Sequence, residues 1–454
     1  MKNKTNNLNV LKPDFFNDFI DNLKSRDSKK LFKKIKDSHP SEVAAYLQVL
    51  NEDHRTRLIK FLEKDFDIKI LAELEQSFLE KIIDEFSFKT IEKAIKKLDS
   101  DEAASIIEVL DSEKKLKILS EIPKKDRLFI EDNLSYDENT AGRLMQKEVV
   151  KIPFDFDVGN TIDFLRKSNS LPTIFYDLFV VDSDERFMGT IPLSTVISTA
   201  RNKKIFTIMK KNLKSVHFST DQEEVADIFR KRNLTSIAVV NDEDKLIGMI
   251  NVDDIVDVID TEAEEDILKL AGVVGDQSFY DAIISTTKAR FTWLFFNLIA
   301  AFFATYVIKN FEGSIEKLAI LAAIMPIIAS MGGCSGTQSL TTAVRAIAMK
   351  QLTWSNALRS TGKEVVVGLL NGIIFSVTSF IVTFLWFNDY GLSFVISVSL
   401  LLNLIFGSFF GTFIPIILTR GGVDPAIASG TFVTTLTDIM GFFIFLSLAT
   451  FYLI

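Results

Sequence analysis

The chain has 454 residues, 47% of them hydrophobic, with a formal net charge of -8 and one cysteine. That length has room for several domains. The acidic balance, with no extended basic stretch, excludes nucleic acid as a partner, and the lone Cys334 excludes an internal disulfide and fits a reducing compartment.

The charges are unevenly spread. From Phe291 to the end there are seven Lys/Arg and six Asp/Glu, leaving 45 and 54 of the totals of 52 and 60 to the first 290 residues. The front therefore reads as soluble and acidic, the back as membrane. The start, MKNKTNNLNVLKPDFF, has no apolar core of signal-peptide length, which predicts a cytoplasmic N-terminus.

Residues 1–136 predict an all-α N-terminal domain. From Pro13 to about Leu134 the sequence runs in short pieces with apolar positions three and four apart, such as SEVAAYLQVL, DEAASIIEVL and SEKKLKILSEI. Ser41-Glu42 and Asp99-Ser100-Asp101 supply N-caps, and pieces this short need neighbours to be stable. A stacked helical-repeat array satisfies them, and an irregular bundle fits the periodicity equally well.

The period then changes, and one pattern occurs twice, over 137–202 and 203–260. The first copy opens on Leu144-Met145, continues through an amphipathic stretch Thr161–Lys167 and ends in a hairpin from Leu178 to Ile191. The second has Ile208-Met209, a helix Asp221–Arg232 and a hairpin from Ile237 to Ile250, each hairpin with a glycine after its charged turn. Two β-α-β-β-α copies about 60 residues apart resemble a tandem pair of CBS domains, an α/β module. The ribose-contacting pattern of that family survives only as Asn251-Val-Asp-Asp254, which makes Asn251 and Asp254 candidate contacts for ATP in the second copy.

Residues 261–290 follow as an acidic connecting helix and linker, with Glu262, Glu264, Glu265 and Asp266 close to Asp253, Asp254 and Asp257. Carboxylates this dense repel one another unless cations sit among them, although a solvated linker face would have the same composition.

From 291 to 454 five apolar spans predict an α-helical membrane domain, at about 291–308, 318–344, 365–388, 390–419 and 425–454. The loops after spans two and four carry Arg345, Lys350, Arg359, Lys363 and Arg420, and the opposite loops Lys309 and Lys317. This places the N-terminus in the cytoplasm and the C-terminus outside. The last span holds a single charged side chain, Asp438, and a carboxylate at mid-membrane costs at least ~2.5–3.5 kcal/mol unless it meets a cavity, an ion or a partner. At about 100° per residue Thr431, Thr434, Thr435 and Asp438 share one wedge, a polar stripe on an apolar helix. In span two, Pro326 is followed by Met331-Gly-Gly-Cys-Ser-Gly-Thr-Gln338, whose glycines are expected to break or thin the helix so that Gly333, Cys334 and Gln338 line a path; tight packing would also use them. Three scattered histidines, His39, His54 and His217, make no catalytic dyad and are expected at the surface. With no nucleophile beside a base and no phosphate loop, the chain is not expected to be an enzyme.

Taken together, His39-Pro40, Asp137-Glu-Asn-Thr-Ala-Gly142, Glu265-Asp-Ile-Leu-Lys-Leu-Ala-Gly272, Pro326–Gln338, Asp424-Pro425-Ala426 and Thr434-Thr-Leu-Thr-Asp438 resemble the MgtE family of magnesium channels over nearly the whole chain. The resemblance implies a homodimer in the cell membrane with an ion path between subunits lined by spans two and five. It further implies Asp438 as the cation site and Asp424, Asp254, Asp257, Glu262, Glu265 and Asp266 as carboxylates that sense cytoplasmic Mg²⁺. Two Asp438 carboxylates facing each other would hold a hydrated Mg²⁺ through its waters. Cys334 departs from the family's pattern and is a softer ligand, so the alternative is a CBS-regulated transporter of another divalent cation such as Co²⁺ or Mn²⁺. Lys89-Thr90 stands where family members carry acidic residues in the N-terminal domain.

Overall fold

The structure, a computed structural model, describes residues 35, 38–62, 66–168, 171–172, 174–210, 215–273 and 283–454. These fall into two compact units, Met1–Glu262 and Ala263–Ile454. The helical pieces expected before residue 35 and part of the linker before 291 lie outside the described residues.

Among the described residues the first unit begins with eight α-helices: α1 Pro40–Val49, α2 Glu52–Leu62, α3 Lys69–Ala72, α4 Gln76–Ile82, α5 Phe88–Ile95, α6 Ser100–Glu108, α7 Ser112–Glu121 and α8 Lys124–Asn133. Each turns its apolar stripe into one shared core that includes Tyr46, Leu58, Leu71, Ile82, Ile91 and Ile107. Full burial is worth ~1.5–3 kcal/mol for a large aliphatic side chain, so pieces of four to eleven residues persist only through this sharing. The cap of α1 is His39 rather than Ser41: its Nδ1 accepts the Ser41 backbone N–H at 3.3 Å while the Glu42 carboxylate accepts the His39 N–H at 3.1 Å. Pro40 at the first helical position forces this choice, because a chain that is already helical at Pro40 must be capped one residue earlier. Asp99 caps α6 as expected, in a box with Glu102.

The remainder of the unit holds α9 Ala141–Leu144, β1 Lys151–Pro153, α10 Val158–Lys167, β2 Asp177–Val181, β3 Phe187–Pro192, α11 Leu193–Ser198, α12 Ile205–Ile208, β4 Val216–His217, α13 Gln222–Arg232, β5 Ser236–Val240 and β6 Leu246–Asn251. Two three-stranded sheets result, ordered β1-β2-β3 and β4-β5-β6, each with one parallel and one antiparallel pairing. The opening segments are exchanged relative to the sequence reading. Met145 and Leu144 pack in the core of the second sheet with Val225 and Ile250, whereas Ile208 and Met209 pack in the first with Val158 and Ile191. The glycines after the hairpin turns make room for them: a Cβ at Gly248 would lie 2.6 Å from Met145 Sδ, and one at Gly189 2.7 Å from the Lys210 carbonyl.

Helix α14, Val252–Leu270, runs without a break from the end of β6, so the connecting helix is the same helix that closes the second repeat, with Ile255 and Val258 in that repeat's core. A boundary at 260/261 therefore falls mid-helix. Gly272, with φ +76, ends it as a left-handed cap.

Among its described residues the second unit contains five helices long and apolar enough to cross a membrane. They are α15 Ile283–Lys309, α17 Ile320–Ala348, α18 Ala357–Phe387, α19 Tyr390–Arg420 and α20 Pro425–Leu453, with the short α16 Glu312–Lys317 between the first two. Helix α18 starts at Ala357 rather than at 365, so Arg359, Lys363 and Glu364 are helical and not loop residues. Helix α19 is the most enclosed, packing on α17, α18 and α20. Leu370, Ile374, Val377, Ile381 and Leu385 of α18 are exposed, which suits hydrocarbon rather than water.

Candidate cation sites

Asp424 opens α20 by accepting the Ala426 N–H at 2.8 Å, with Pro425 at the first helical position. One face of the helix, Val433, Thr437 and Phe445, is fully buried. Asp438 lies at the middle of the helix and is half-buried, as are Thr431, Thr434 and Thr435. Among the described residues no hydrogen-bond or ion-pair partner meets the Asp438 carboxylate. The neighbouring hydroxyls are committed: Thr434 donates to the Gly430 carbonyl at 3.0 Å and Thr435 to that of Thr431 at 2.8 Å. A hydroxyl whose proton is bound to its own helix offers only lone pairs outward, the set that water molecules around a cation would seek.

The expected break in span two is absent. Helix α17 is continuous across Pro326 and the glycines, and the glycines serve packing instead. A Cβ at Gly407 would lie 2.7 Å from the Gly332 carbonyl, so α17 and α19 approach backbone to backbone, and Ser335 Oγ meets Ser408 Oγ at 3.0 Å across the same seam. The backbone stays hydrogen-bonded within the helix, which is the cheaper solution in hydrocarbon. The opposite face carries Cys334, Thr337, Gln338, Thr341 and Thr342, all exposed, with nothing within 4 Å of a Cβ on Gly333. A polar face on a membrane helix is thus left uncovered by the described residues.

The sensor carboxylates expected on α14 do not gather into one site; among the described residues no three His, Cys, Asp or Glu side chains group as a metal-holding set. Glu262 accepts a hydrogen bond from Gln222. Glu265 and Asp424 share the Lys269 ammonium at 2.6 and 2.8 Å. Burial opposes the charge on Lys269, but the bonds to Asp424 and Glu265 outweigh it and hold its pKa above the ordinary value. Asp266 lies on the same helix. The pair proposed as ribose contacts is engaged internally: Asn251 Nδ2 donates to Gln146 Oε1 at 2.9 Å, and Gln146 Nε2 donates to Asp254 Oδ2 at 3.2 Å.

Asp254 has a further neighbour that the sequence reading passed over. Burial, with Asp253 adding repulsion, pushes its pKa up to about 7, and burial followed by Asp254 and Glu102 raises Asp101 well above the usual carboxylate range. Asp101 Oδ1 is buried without a hydrogen-bond partner among the described residues. Burial likewise raises Asp99, Glu102 and Glu148, and Asp257 is raised by burial and then by Asp260 and Asp253. The start of α6 thus brings acidic groups near the start of α14, where like charges raise one another and Lys69 offsets part of the repulsion at Asp99 and Glu102. Asp99-Ser-Asp101-Glu102 reads in sequence as a capping box, and it is one; nothing local marks Asp101 as the residue that turns inward. Lys89 is exposed and Thr90 is bound to Ser87, so that position adds no carboxylate.

Family models match the chain in three places: a divalent cation transporter model, MgtE, over 325–448, the MgtE intracellular N domain over 38–139 and a CBS domain over 205–261. The magnesium transporter MgtE of Enterococcus faecalis is 33% identical over 324 residues, covering 71% of each chain. The chain belongs to the MgtE family. The MgtE proteins of Thermus thermophilus and Bacillus subtilis are 34% and 32% identical, covering 72% and 70% of each chain. The crystal structure of the cytosolic domain of the Mg²⁺ channel MgtE in complex with ATP is 25% identical, with a TM-score of 0.49, over 53% of this chain and 98% of that one. In MgtE terms the N-domain match contains Asp101, and the transporter match runs from within α17 to within α20.

Proposed function

We propose that this MgtE-family chain conducts Mg²⁺ across the cell membrane along a path lined by α17 and α20, as a homodimer with a cytoplasmic N-terminus and an external C-terminus. The observation that carries the reading is Asp438, a mid-membrane carboxylate without a partner among the described residues, flanked by hydroxyls that present only acceptors. Membership of a family described as divalent cation transporters supports it. The uncovered polar face of α17 supports the homodimer, because a second copy laid against it would keep Cys334, Thr337 and Gln338 from lipid. Arg420 lies 4.2 Å over the Trp354 ring, so the end of α19 and the connection from α17 to α18 share one end of the helices, and Arg345, Lys350, Arg359, Lys363 and Arg420 lie in or beside them, in line with the positive-inside reading. The reading divides the chain into an N-terminal array over 1–136, two CBS repeats over 137–202 and 203–260, a connecting segment over 261–290 whose start lies within α14, and the pore domain over 291–454.

Regulation by cytoplasmic Mg²⁺ is part of the reading. Asp254, Asp257 and Asp101 in the first unit, and Glu265, Asp266 and Asp424 in the second, are the side chains that would hold it, with Glu262 beside the unit boundary; the ion would supply the positive charge their repulsion calls for. ATP at the second CBS repeat would require Asn251 and Asp254 to release Gln146.

Flux into liposomes carrying the purified protein tests the main reading, with saturable Mg²⁺ uptake as the expected result. Uptake of Co²⁺ or Mn²⁺ without Mg²⁺ would replace Mg²⁺ by the softer ion that Cys334 suits, and no flux of any divalent cation would reject it. Cys334 provides a separate check. A small cationic thiol reagent should label it and block uptake, and a conducting channel whose Cys334 resists labelling would move that face of α17 out of the path.

A further inference from the structure

Asn403 sits near the middle of α19 with no exposed surface. Its Nδ2 donates to the Ile328 carbonyl of α17 at 2.8 Å. The amide fills a notch between two other helices: a Cβ added at Gly332 of α17 would overlap Nδ2, and one at Gly441 of α20 would come within 2.6 Å of it. A helix donor is not needed to satisfy Ile328, whose carbonyl is already placed to receive the Gly332 N–H in the helical ladder. Packing alone would be served as well by leucine, which has the same shape and no polar atoms to desolvate. Asn403 Oδ1 is buried and accepts no hydrogen bond among the described residues. Gly441 lies three residues from Asp438, one turn along the same side of α20.

We propose that Asn403 is a positioning residue for permeation: its amide fixes the separation and rotation of α17 and α20 at the level of Asp438. The inference rests on the reading of α17 and α20 as the walls of that path. The Ile328 bond fixes which way the amide points, since only the NH₂ end can meet a carbonyl, and that seats the NH₂ in the Gly332–Gly441 notch and leaves the oxygen further from both glycines. An acceptor left dry in hydrocarbon is costly, so its retention marks a role other than stability.

The test compares Asn403→Leu, Gly332→Ala, the Gly332→Ala/Asn403→Ala double variant and Asp438→Ala in liposomes, reading thermal stability, Mg²⁺ flux and the Co²⁺ to Mg²⁺ flux ratio. Asn403→Leu should keep the wild-type melting temperature yet lose about tenfold or more in flux and shift the ion ratio, because small displacements of positioned groups cost about that much. Gly332→Ala should lose flux through the overlap with the amide, and the double variant should recover part of it. Wild-type flux and ratio in Asn403→Leu would overturn the proposal. If Asn403→Leu does not fold, absence of recovery in the double variant overturns it. Loss of flux in Asp438→Ala beside a normal Asn403→Leu rejects this inference alone, whereas normal flux in both rejects the path itself.

Discussion

Replacing Asp438 with alanine should abolish Mg²⁺ uptake while leaving a folded, membrane-inserted protein. The side chain makes no hydrogen bond or ion pair among the described residues, so its removal breaks no contact there and relieves a desolvated charge. What is lost is the one fixed negative charge of the last span. In a homodimer two such charges would face the ion, and their field favours a divalent cation over K⁺ or Na⁺ by charge alone. Flux measured alongside melting temperature separates the outcomes: uptake at the wild-type rate would remove Asp438 from the path, and unchanged stability with lost uptake would place it there.

The second large effect concerns closure. Replacing Glu262, Glu265 and Asp266 together with alanine should give a channel that stays open in high Mg²⁺, and protease sensitivity around Glu262 should no longer depend on Mg²⁺. A ligand moves an equilibrium only by its differential affinity for the two states, so a steep response needs several weak carboxylate sites acting together. Closure retained in the triple variant would sink the sensor reading. Protons should act in the same direction as Mg²⁺ at Asp101 and Asp254. Their folded pKa values are raised, that of Asp254 to about 7, so the folded state binds protons that the unfolded state releases above its ordinary pKa of ~3.9. Stability from this source is present at low pH and is lost as pH rises through about 7. In Mg²⁺-free buffer the melting transition of the first unit should move up on going from pH 8 to pH 6, and Asp254→Asn should flatten that dependence.

Where a property repeats along the chain, the sequence carried it. Apolar runs located five spans, three-and-four spacing located the array, and two similar hairpins located the repeats. Where a property depends on which distant element fills a space, it was hidden. Leu144-Met145 stands beside the first repeat in sequence yet packs in the second, because what decides its place is the notch over Gly248. The glycines of α17 carried two meanings, break and close packing, and only the approach of Gly407 and Asn403 selects the second. Asp101 looked like one more cap residue; its inward turn toward Asp254 depends on a helix about 150 residues further on. Asp438 was legible because a carboxylate in an apolar run is anomalous in any packing, whereas Lys269, which holds Glu265 and Asp424, is ordinary until its partners are known.

The committed hydroxyls of α20 also bear on proton leak. A chain of waters relays protons only where each link can turn from donor to acceptor, and a side chain joins the relay only if its own hydrogen is free to move along. Thr434 and Thr435 have theirs fastened to the carbonyls of Gly430 and Thr431, and Thr341 and Thr342 on α17 are fastened in the same way to Thr337 and Gln338. Water beside these four hydroxyls meets acceptors only, so in a path built from these residues the threonines themselves would carry no proton along the wall.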